Sequence, residues 1–487
     1  MAINDLTPAE ARVWRAFARG ENVDFRTGPD EDPATGSGWG PGRTVRASVL
    51  RALLVSAPQE DGEISALRLT GARITGRLDL THAVLDRPVR MSHCHFDEAP
   101  QLYGVQLPRL SLRGSVLPGL GLASARIDAT LGLSECRVHG RVMLAGSHIG
   151  GALFLDGARL VAPDAGTPAL QLNQATVGDD LWAPGLSVEG GIRLSGASVA
   201  GSVDLNEARL CRPGHSALDA ETLAVEGDLL VRHAEVQGWF GLRGARIAGR
   251  LDLSYSRLTH PDGTSLRASS CTVGELWLRQ GPPMAGTLNL RRAQVDVLFL
   301  DPGTVPDEVL LNGCTYAALT PQEPAERRLP MLERDGEGYV PHAYEQLTAS
   351  YLRVGDERSA RLVQLAKQRR HRRTLPWPGR LWGVVQDLTV GYGFRPLRAA
   401  GWLLSLLAAG SLVYGLRPPR PLKAGEAPEF NPVFYTLDLL VPVISFGQEG
   451  AFGPRGWYQW VSYVLVITGW ILATTVVAGV SRSVSRQ

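Results

Sequence analysis

Apolar residues return every five or six positions from Ile64 to Tyr316, a period that neither an α-helix nor an ordinary strand has. A small residue often stands two positions before the large one, as in Ala72 before Ile74 and Ala158 before Leu160. Four such steps make roughly 22 residues, about one turn of a four-sided coil whose stacked turns bury a shared core. The pattern therefore predicts a parallel β-solenoid over residues 61–318.

Three short insertions interrupt this rhythm, and they begin after Leu160, Leu210 and Leu258. These leucines are 50 and 48 residues apart, which is about two coils plus one loop. We therefore expect three loops to project from one corner of the solenoid. That corner is the first place to look for an unknown protein partner.

The repeat resembles the pentapeptide-repeat family, in a degenerate form with alternating steps of five and six residues. Extended units such as Leu78-Asp79-Leu80 and Leu251-Asp252-Leu253, each followed by a small-x-large triplet, carry the resemblance. It implies a mainly β protein, built as a right-handed quadrilateral parallel β-helix. Outward arginines and a net charge of +2 argue against a DNA-mimicking acidic face and against a basic nucleic-acid binder, so no nucleic acid is expected as a partner.

Helical signals flank the repeats on both sides. Thr7, Pro8 and Glu10 form an N-cap signature, and a second helix is expected from Thr44 to Ala57, so residues 1–60 are predicted to be an N-terminal cap with a linker. Residues 319–374 are predicted to form a helical hairpin that ends in a basic cluster, and residues 375–487 an interfacial segment and a membrane domain.

The basic cluster contains Arg369, Arg370, Arg372 and Arg373, and contact with anionic lipid headgroups is expected there. Uncharged stretches follow at 399–416 and 457–480, long enough to predict two transmembrane helices. The N-terminus lacks a secretory signal, and basic residues are concentrated before the first stretch. Together these features predict a multi-pass plasma (inner) membrane protein with the solenoid and both termini in the cytoplasm.

Between the two stretches, residues 430–450 are too short to cross a bilayer and are expected to form a re-entrant or interfacial segment. The residues of a pore loop there would be Asp438, Ser445, Phe446, Gly447 and Gln448. The letters of a potassium-channel filter occur at residues 389–393, but they precede the first stretch, which is the wrong position for a filter.

Signatures of catalysis, cofactors and metals do not occur: there is no G-x-S-x-G, no H-E-x-x-H and no dinucleotide fingerprint in its strand-helix setting. The five cysteines lack metal spacing, and four of them occupy the small inward position of the repeat. No catalytic residue, cofactor or metal is therefore predicted, and the protein is expected not to be an enzyme. The order of segments is similar to that of actinobacterial membrane proteins often labelled membrane-associated oxidoreductases, which implies a redox activity that these residues do not support.

Three functions follow from the sequence. The first is a membrane-anchored, non-catalytic scaffold that uses the solenoid for interaction or sensing. The second is a channel-like homo-oligomer with a pore loop between the two spans, gated by the solenoid. The third, from the resemblance alone, is an oxidoreductase.

Overall fold

A computed structural model describes residues 5–56, 64–164, 166–390, 396–423, 425, 427–441 and 445–484. The chain divides into two compact units, Met1–Val354 and Gly355–Gln487. The first unit contains a parallel β-solenoid of about 12 turns, as the repeat predicts. Its right-handed sense stays a prediction.

Each coil of the solenoid has four sides, and every side forms a ladder of parallel strands. The sides are called A to D in chain order; in one coil they are formed by Leu153–Phe154 (A), Arg159–Val161 (B), Leu170–Gln171 (C) and Thr176–Val177 (D). On side B, for example, Arg159 is in register with Ser187 of the next coil, Ser187 with Arg209, Arg209 with Glu235, and Glu235 with Arg257. Alternate residues of each short strand point inward, because side chains along a strand alternate between the two faces.

The strands of the first unit lie on these four sides, and the later ones turn a corner and contribute to two sides. In chain order they are β1 (Asn22–Asp24), β2 (Thr44–Arg46), β3 (Leu67–Thr70), β4 (Arg73–Thr75), β5 (Val89–Ser92), β6 (His95–Phe96), β7 (Gln106–Leu107), β8 (Leu110–Ser111), β9 (Val116–Leu117), β10 (Leu120–Gly121), β11 (Arg126–Ile127), β12 (Leu131–Gly132), β13 (Arg137–Val138), β14 (Val142–Met143), β15 (His148–Ile149), β16 (Leu153–Phe154), β17 (Arg159–Val161) and β18 (Leu170–Gln171). They continue as β19 (Thr176–Val177), β20 (Leu181–Trp182), β21 (Ser187–Glu189), β22 (Ile192–Arg193), β23 (Ser198–Val199), β24 (Val203–Asp204), β25 (Arg209–Asp219), β26 (Ala224–Val225), β27 (Leu229–Leu230), β28 (Glu235–Gly241), β29 (Arg246–Asp252), β30 (Arg257–Arg267), β31 (Thr272–Leu278), β32 (Ala285–Asn289), β33 (Gln294–Leu300), β34 (Val309–Leu310) and β35 (Thr315–Thr320).

The core of the solenoid follows the small-then-large code of the sequence. Cys136 and Val138 are buried on one coil, and Ala158 and Leu160 are buried directly above them on the next. Four cysteines, Cys94, Cys136, Cys271 and Cys314, are buried in this core, and burial raises the pKa of each thiol to about 12. They therefore remain protonated at neutral pH, and such buried thiols pack as small hydrophobic groups without redox reactivity.

All three insertions leave the solenoid at the corner between sides B and C, as their spacing predicts. The first loop follows β17, and the other two lie within β25 and β30, between the part of each strand on side B and the part on side C. The loops therefore occupy alternate coils, and the coils between them are short.

Glycine allows each short coil to pass beneath the loop of the coil before it. Gly190, Gly238 and Gly286 lie at this corner with φ of 113°, 117° and 124°. A Cβ atom at Gly238 would lie 2.5 Å from the carbonyl oxygens of both Arg212 and His215. Residues other than glycine avoid both this backbone conformation and such an approach, so the glycines keep the three loops in place.

The first unit is closed at its ends by helices: α1 (Pro8–Ala18), α2 (Ala47–Ser56), α3 (Ala325–Glu333) and α4 (Pro341–Arg353). The glycine- and proline-rich part of the predicted cap and linker contains two 3₁₀ turns, Pro33–Gly38 and Pro41–Arg43, and Asp32 beside them pairs with Arg137 of the solenoid. The second predicted helix starts later than expected, because Thr44–Arg46 first forms a strand against β4.

The capping box of α1 forms as predicted and also ties this helix to the solenoid. Glu10 accepts from the backbone N–H of Thr7, and both of its oxygens accept from the Arg46 side chain at 2.7 Å. Burial raises the pKa of Glu10, but the bonds from Arg46 and Thr7 outweigh it and lower the pKa to about 2.

We expect the stability that Glu10 contributes to depend on pH. Its folded pKa lies below its unfolded value of 4.5, so its contribution is fully present above about pH 4.5 and is lost as the pH falls through 2. Glu10→Gln should lower the free energy of unfolding by about 2 kcal/mol at neutral pH, a value discounted because the Arg46 side chain is 42% exposed. Denaturant titrations of both proteins should converge near pH 2, and a difference independent of pH would contradict this account.

The second unit is helical, with α5 (Glu357–Thr374), α6 (Trp377–Val390), α7 (Pro396–Leu416), α8 (Pro432–Leu440) and α9 (Trp457–Val484), and a small antiparallel pair, β36 (Arg420–Pro421) and β37 (Phe452–Gly453). Tyr414 of α7, Tyr435 and Leu439 of α8, and Leu465 of α9 lie buried in one cluster. These three helices therefore use part of their apolar surface to pack on one another.

The prediction of two transmembrane helices at 399–416 and 457–480 is wrong. Within the described parts of the chain, no helix combines the length and the apolar character needed to cross a membrane. A span needs about 20 predominantly apolar residues, whereas α7 interrupts its leucines with Ser405, Gly410, Ser411 and Tyr414. The predicted multi-pass plasma-membrane location is wrong for the same reason, and the channel hypothesis loses the two spans that would flank its pore.

A charged cleft as candidate functional site

A cleft of about 710 Å³ opens on side B of the solenoid, next to the loops. It runs across the stacked coils, along the corner between sides A and B. Its lining consists of Gly157, Arg159, Leu160, Val161, Gly185, Ser187, Glu189, Glu207, Arg209, His233 and Glu235. Most of these side chains point outward because their strand neighbours, such as Leu160 and Leu210, point into the core.

Glycines at the same position of two consecutive coils, Gly157 and Gly185, create the hollow at the corner. Successive coils place Glu135, Gly157, Gly185 and Glu207 at equivalent corner positions, linked by backbone hydrogen bonds from coil to coil. A Cβ atom at Gly185 would meet nothing within 4 Å. The cleft is therefore open where side chains are absent, and Glu207 and His233 of the next two coils line it at the same corner.

The charged groups of the cleft are left without ionic partners. Arg159, Glu189, Glu207, Arg209 and Glu235 form no ion pair with one another or with any other side chain in the described residues. Side-chain reach does not explain this, because pairs between neighbouring coils form elsewhere on the solenoid. Such pairs include Arg113–Glu135 at 2.7 Å, Arg243–Glu221 at 2.8 Å and Arg250–Glu275 at 2.9 Å.

One wall of the cleft is held rigid by aromatic contact. The imidazole of His233 stacks on the ring of Tyr255, with centroids 4.7 Å apart and planes 4° apart. Parallel stacking of two planar rings restricts their rotation. His233 is therefore held at the rim, where it offers a hydrogen-bonding group to a bound molecule.

A second cleft of about 730 Å³ continues along the same side between the second and third loops. Glu235 lines both clefts, and Arg257, His260 and Asp262 line the second. Here too the loop is supported by an aromatic contact, since His260 meets the edge of Trp239 at 5.5 Å. The two clefts thus form one groove that follows the axis of the solenoid.

The loops brace one another along the groove. The Arg212 guanidinium of the second loop donates to the carbonyl oxygen of Gly166 in the first loop at 2.9 Å. This bond spans the intervening short coil, which carries Gly190 at the same corner. The groove therefore has walls whose positions are fixed by contacts between loops.

The predicted membrane-surface arginines lie on α5 of the second unit. Asp387 of α6 pairs with Arg369 at 2.9 Å and with Arg372 at 3.3 Å. Burial raises the pKa of Asp387, but these two arginines outweigh it and the pKa is lowered. Half of the cluster therefore serves the contact between α5 and α6, while Arg370 and the exposed Arg373 lie near the C-terminal end of α5, where the helix dipole favours cations. A role at lipid headgroups stays a prediction.

The predicted pore-loop residues form a hydrogen-bonded cluster at the C-terminal end of α8. Asp438 is buried, and its carboxylate accepts the backbone N–H groups of Phe446, Gln448 and Glu449 at 2.5, 2.8 and 3.2 Å. Ser445 accepts from the N–H of Gly447, and the Gln448 side chain donates to the carbonyl oxygen of Glu429. The structure brings these five residues together, and the Asp438 carboxylate stabilises the loop by accepting its backbone N–H groups. Gly391 to Gly393 of the filter-like motif lie outside the described residues.

The groove itself was not predicted from the sequence, although the corner with the loops was. One signal was available: an arginine directly precedes the leucine before each loop, at Arg159, Arg209 and Arg257. Because each leucine points inward, each arginine must point outward beside its loop. The glutamates and His233 have no comparable sequence signal, since only the register of neighbouring coils brings them to the arginines.

Comparison with family models, with curated protein sequences and with solved structures finds no match to this chain. The role of the groove therefore rests on its own geometry. It offers two signs of charge at fixed spacing along a rigid surface, an arrangement that suits recognition of a polar, charged molecule.

Proposed function

We propose that this protein is a non-catalytic β-solenoid scaffold that binds an extended segment of a partner protein in the groove on side B. The observation that carries this proposal is the set of five unpaired charges in the first cleft. Charged side chains that have no intramolecular partner can form complementary pairs with a bound molecule, and such complementarity sets specificity and register. A segment that carries both acidic and basic side chains matches Arg159 and Arg209 on one hand and the three glutamates on the other.

The length of the groove limits the length of the bound segment. Arg159 and Arg257 are separated by four coils, or about 19 Å at a spacing of about 4.8 Å between strands. An extended chain rises about 3.3 Å per residue, so about six residues fill the groove. The backbone groups of side B are already paired within the ladder, and recognition therefore depends on side chains.

The coils are in our proposal degenerate pentapeptide repeats. The four sides per coil and the buried pairs such as Ala158 and Leu160 support this relationship. In a solenoid of this kind the inward residues specify the fold, and the outward residues are free to specify a partner.

Charge reversal in the cleft tests the proposal. Arg159→Glu with Arg209→Glu should weaken binding of a fluorescent octapeptide of alternating lysine and glutamate at least about 100-fold, because each arginine in a charge-assisted pair contributes about 1.5 to 3 kcal/mol. Fluorescence anisotropy measures the affinity, with all-lysine and all-glutamate octapeptides as comparisons.

The matched control reverses two arginines on side D, which faces away from side B. Arg126→Glu with Arg246→Glu changes the net charge by the same amount and should leave the affinity unchanged. Equal losses in both variants, or tighter binding of either single-sign octapeptide than of the mixed one, would show that the groove does not recognise a mixed-charge segment.

A further inference from the structure

Arg328 of α3 is a buried cation at the C-terminal end of the solenoid. Its side chain is among the largest in the described chain that are fully buried, with 1% of its surface exposed. Two of its nitrogens donate to the carbonyl oxygens of Leu300 and Pro321, each at 2.6 Å. Its Nε atom is buried and has no hydrogen-bond partner. Both acceptors are neutral, so the contacts leave the positive charge uncompensated.

Glu323 and Asp301 act on the charge of Arg328 only from beyond ion-pair distance. No carboxylate in the described residues forms an ion pair with Arg328. Glu323 is paired with Arg327 at 3.1 Å, and Asp301 accepts the N–H of Gly303 within its own turn. An unpaired buried cation costs several kcal/mol, and burial accordingly lowers the pKa of Arg328.

A small hollow of about 50 Å³ adjoins this arginine. Arg327, Arg328 and Arg334 all line it, and the rest of its wall is formed by Pro302, Val305, Pro330 and Met331. Arg334 is oriented by bonds from Nη1 to the carbonyl oxygens of Val305 and Pro306 at 3.4 and 3.2 Å. Three arginines therefore line a space that is large enough for a few water molecules or one small anion.

We propose that this hollow is a binding site for a small oxyanion of the phosphate class. Guanidinium groups bind such anions through paired, charge-assisted hydrogen bonds, and the bare Nε of Arg328 provides a donor for one of them. The anion would compensate the buried charge and satisfy the orphaned donor at once. The site is distinct from the groove on side B and does not depend on it.

Inorganic phosphate is the probe for this site, used with the full-length protein at constant ionic strength. Calorimetric titration of the wild-type protein should show one site, and thermal unfolding should shift upward as phosphate is added. Arg334→Gln should weaken phosphate binding at least about tenfold, because it removes one charge-assisted donor. Arg246→Gln, on side D, is the matched control and should bind like the wild-type protein.

Arg328→Met removes the buried charge but keeps the volume of the side chain. This variant should unfold at a temperature that no longer responds to phosphate. If it does not fold, the proposal is tested by comparing the phosphate affinities of Arg334→Gln and Arg327→Gln with that of Arg246→Gln. Equal phosphate affinity in Arg334→Gln and the wild-type protein, or no shift of the wild-type unfolding temperature, would overturn the proposal.

Discussion

Gly238→Ala is expected to lower the free energy of unfolding by about 4 kcal/mol. Two costs combine: a φ of 117° strains any residue that has a Cβ atom, and the new methyl group would collide with the carbonyl oxygens of Arg212 and His215. Relief requires the second loop to move, which would also change the shape of both clefts. Denaturant titration measures the loss, and hydrogen exchange of residues 211–216 should rise with it.

Gly214→Ala is the matched control at the tip of the same loop. Its φ of 72° is also left-handed, but a Cβ atom there would meet nothing within 4 Å. Only conformational strain remains, and about 1 kcal/mol is expected. If the two alanine variants lost equal stability, the close approach of loop and short coil would have no energetic role.

Asp438→Ala is expected to destabilise the second unit by about 3 kcal/mol. The substitution deprives three backbone N–H groups of their acceptor, and each buried orphan costs about 1 to 3 kcal/mol unless water replaces the carboxylate. Phe446 and Glu449 are exposed and regain water readily, whereas Gln448 is buried. The amides of these three residues should exchange faster than in the wild-type protein, as measured by hydrogen exchange.

Two variants separate the role of the carboxylate from that of the loop. Asp438→Asn keeps one carbonyl oxygen and should lose about half as much stability as the alanine variant. Ser445→Ala removes an exposed acceptor at 3.3 Å and should change stability by less than about 0.5 kcal/mol. Unchanged exchange at Gln448 in Asp438→Ala would contradict the assigned role of the carboxylate.

Much of the solenoid can be predicted from its sequence because the same small and large apolar residue types recur at the inward positions of every coil. Ala158 and Leu160, or Cys136 and Val138, could be assigned to the core from their spacing alone, and the three loops could be assigned to one corner by counting from leucine to leucine. A periodic pattern is informative because every coil restates it.

The groove could not be predicted in the same way, since it depends on the register between coils. Glu207 and Arg159 are two coils apart, and no rule along the chain brings them to one cleft.

Composition also misled the prediction of membrane spans. The run from 399 to 416 lacks charge, yet Tyr414 of that run packs against Tyr435 of α8 inside the second unit. Absence of charge alone does not distinguish a packed helix from one that crosses a bilayer.

The alternation of long and short coils also means that the length of the groove changes in fixed increments. One long coil and one short coil form a unit of 48 residues from Leu210 to Leu258, and each unit extends the groove by about 9.6 Å. Because the backbone ladder joins each coil only to its neighbours, insertion or deletion of a whole unit with its loop leaves both ends of the solenoid unchanged. The length of the recognised segment can therefore change in steps of about three residues, without redesign of the fold.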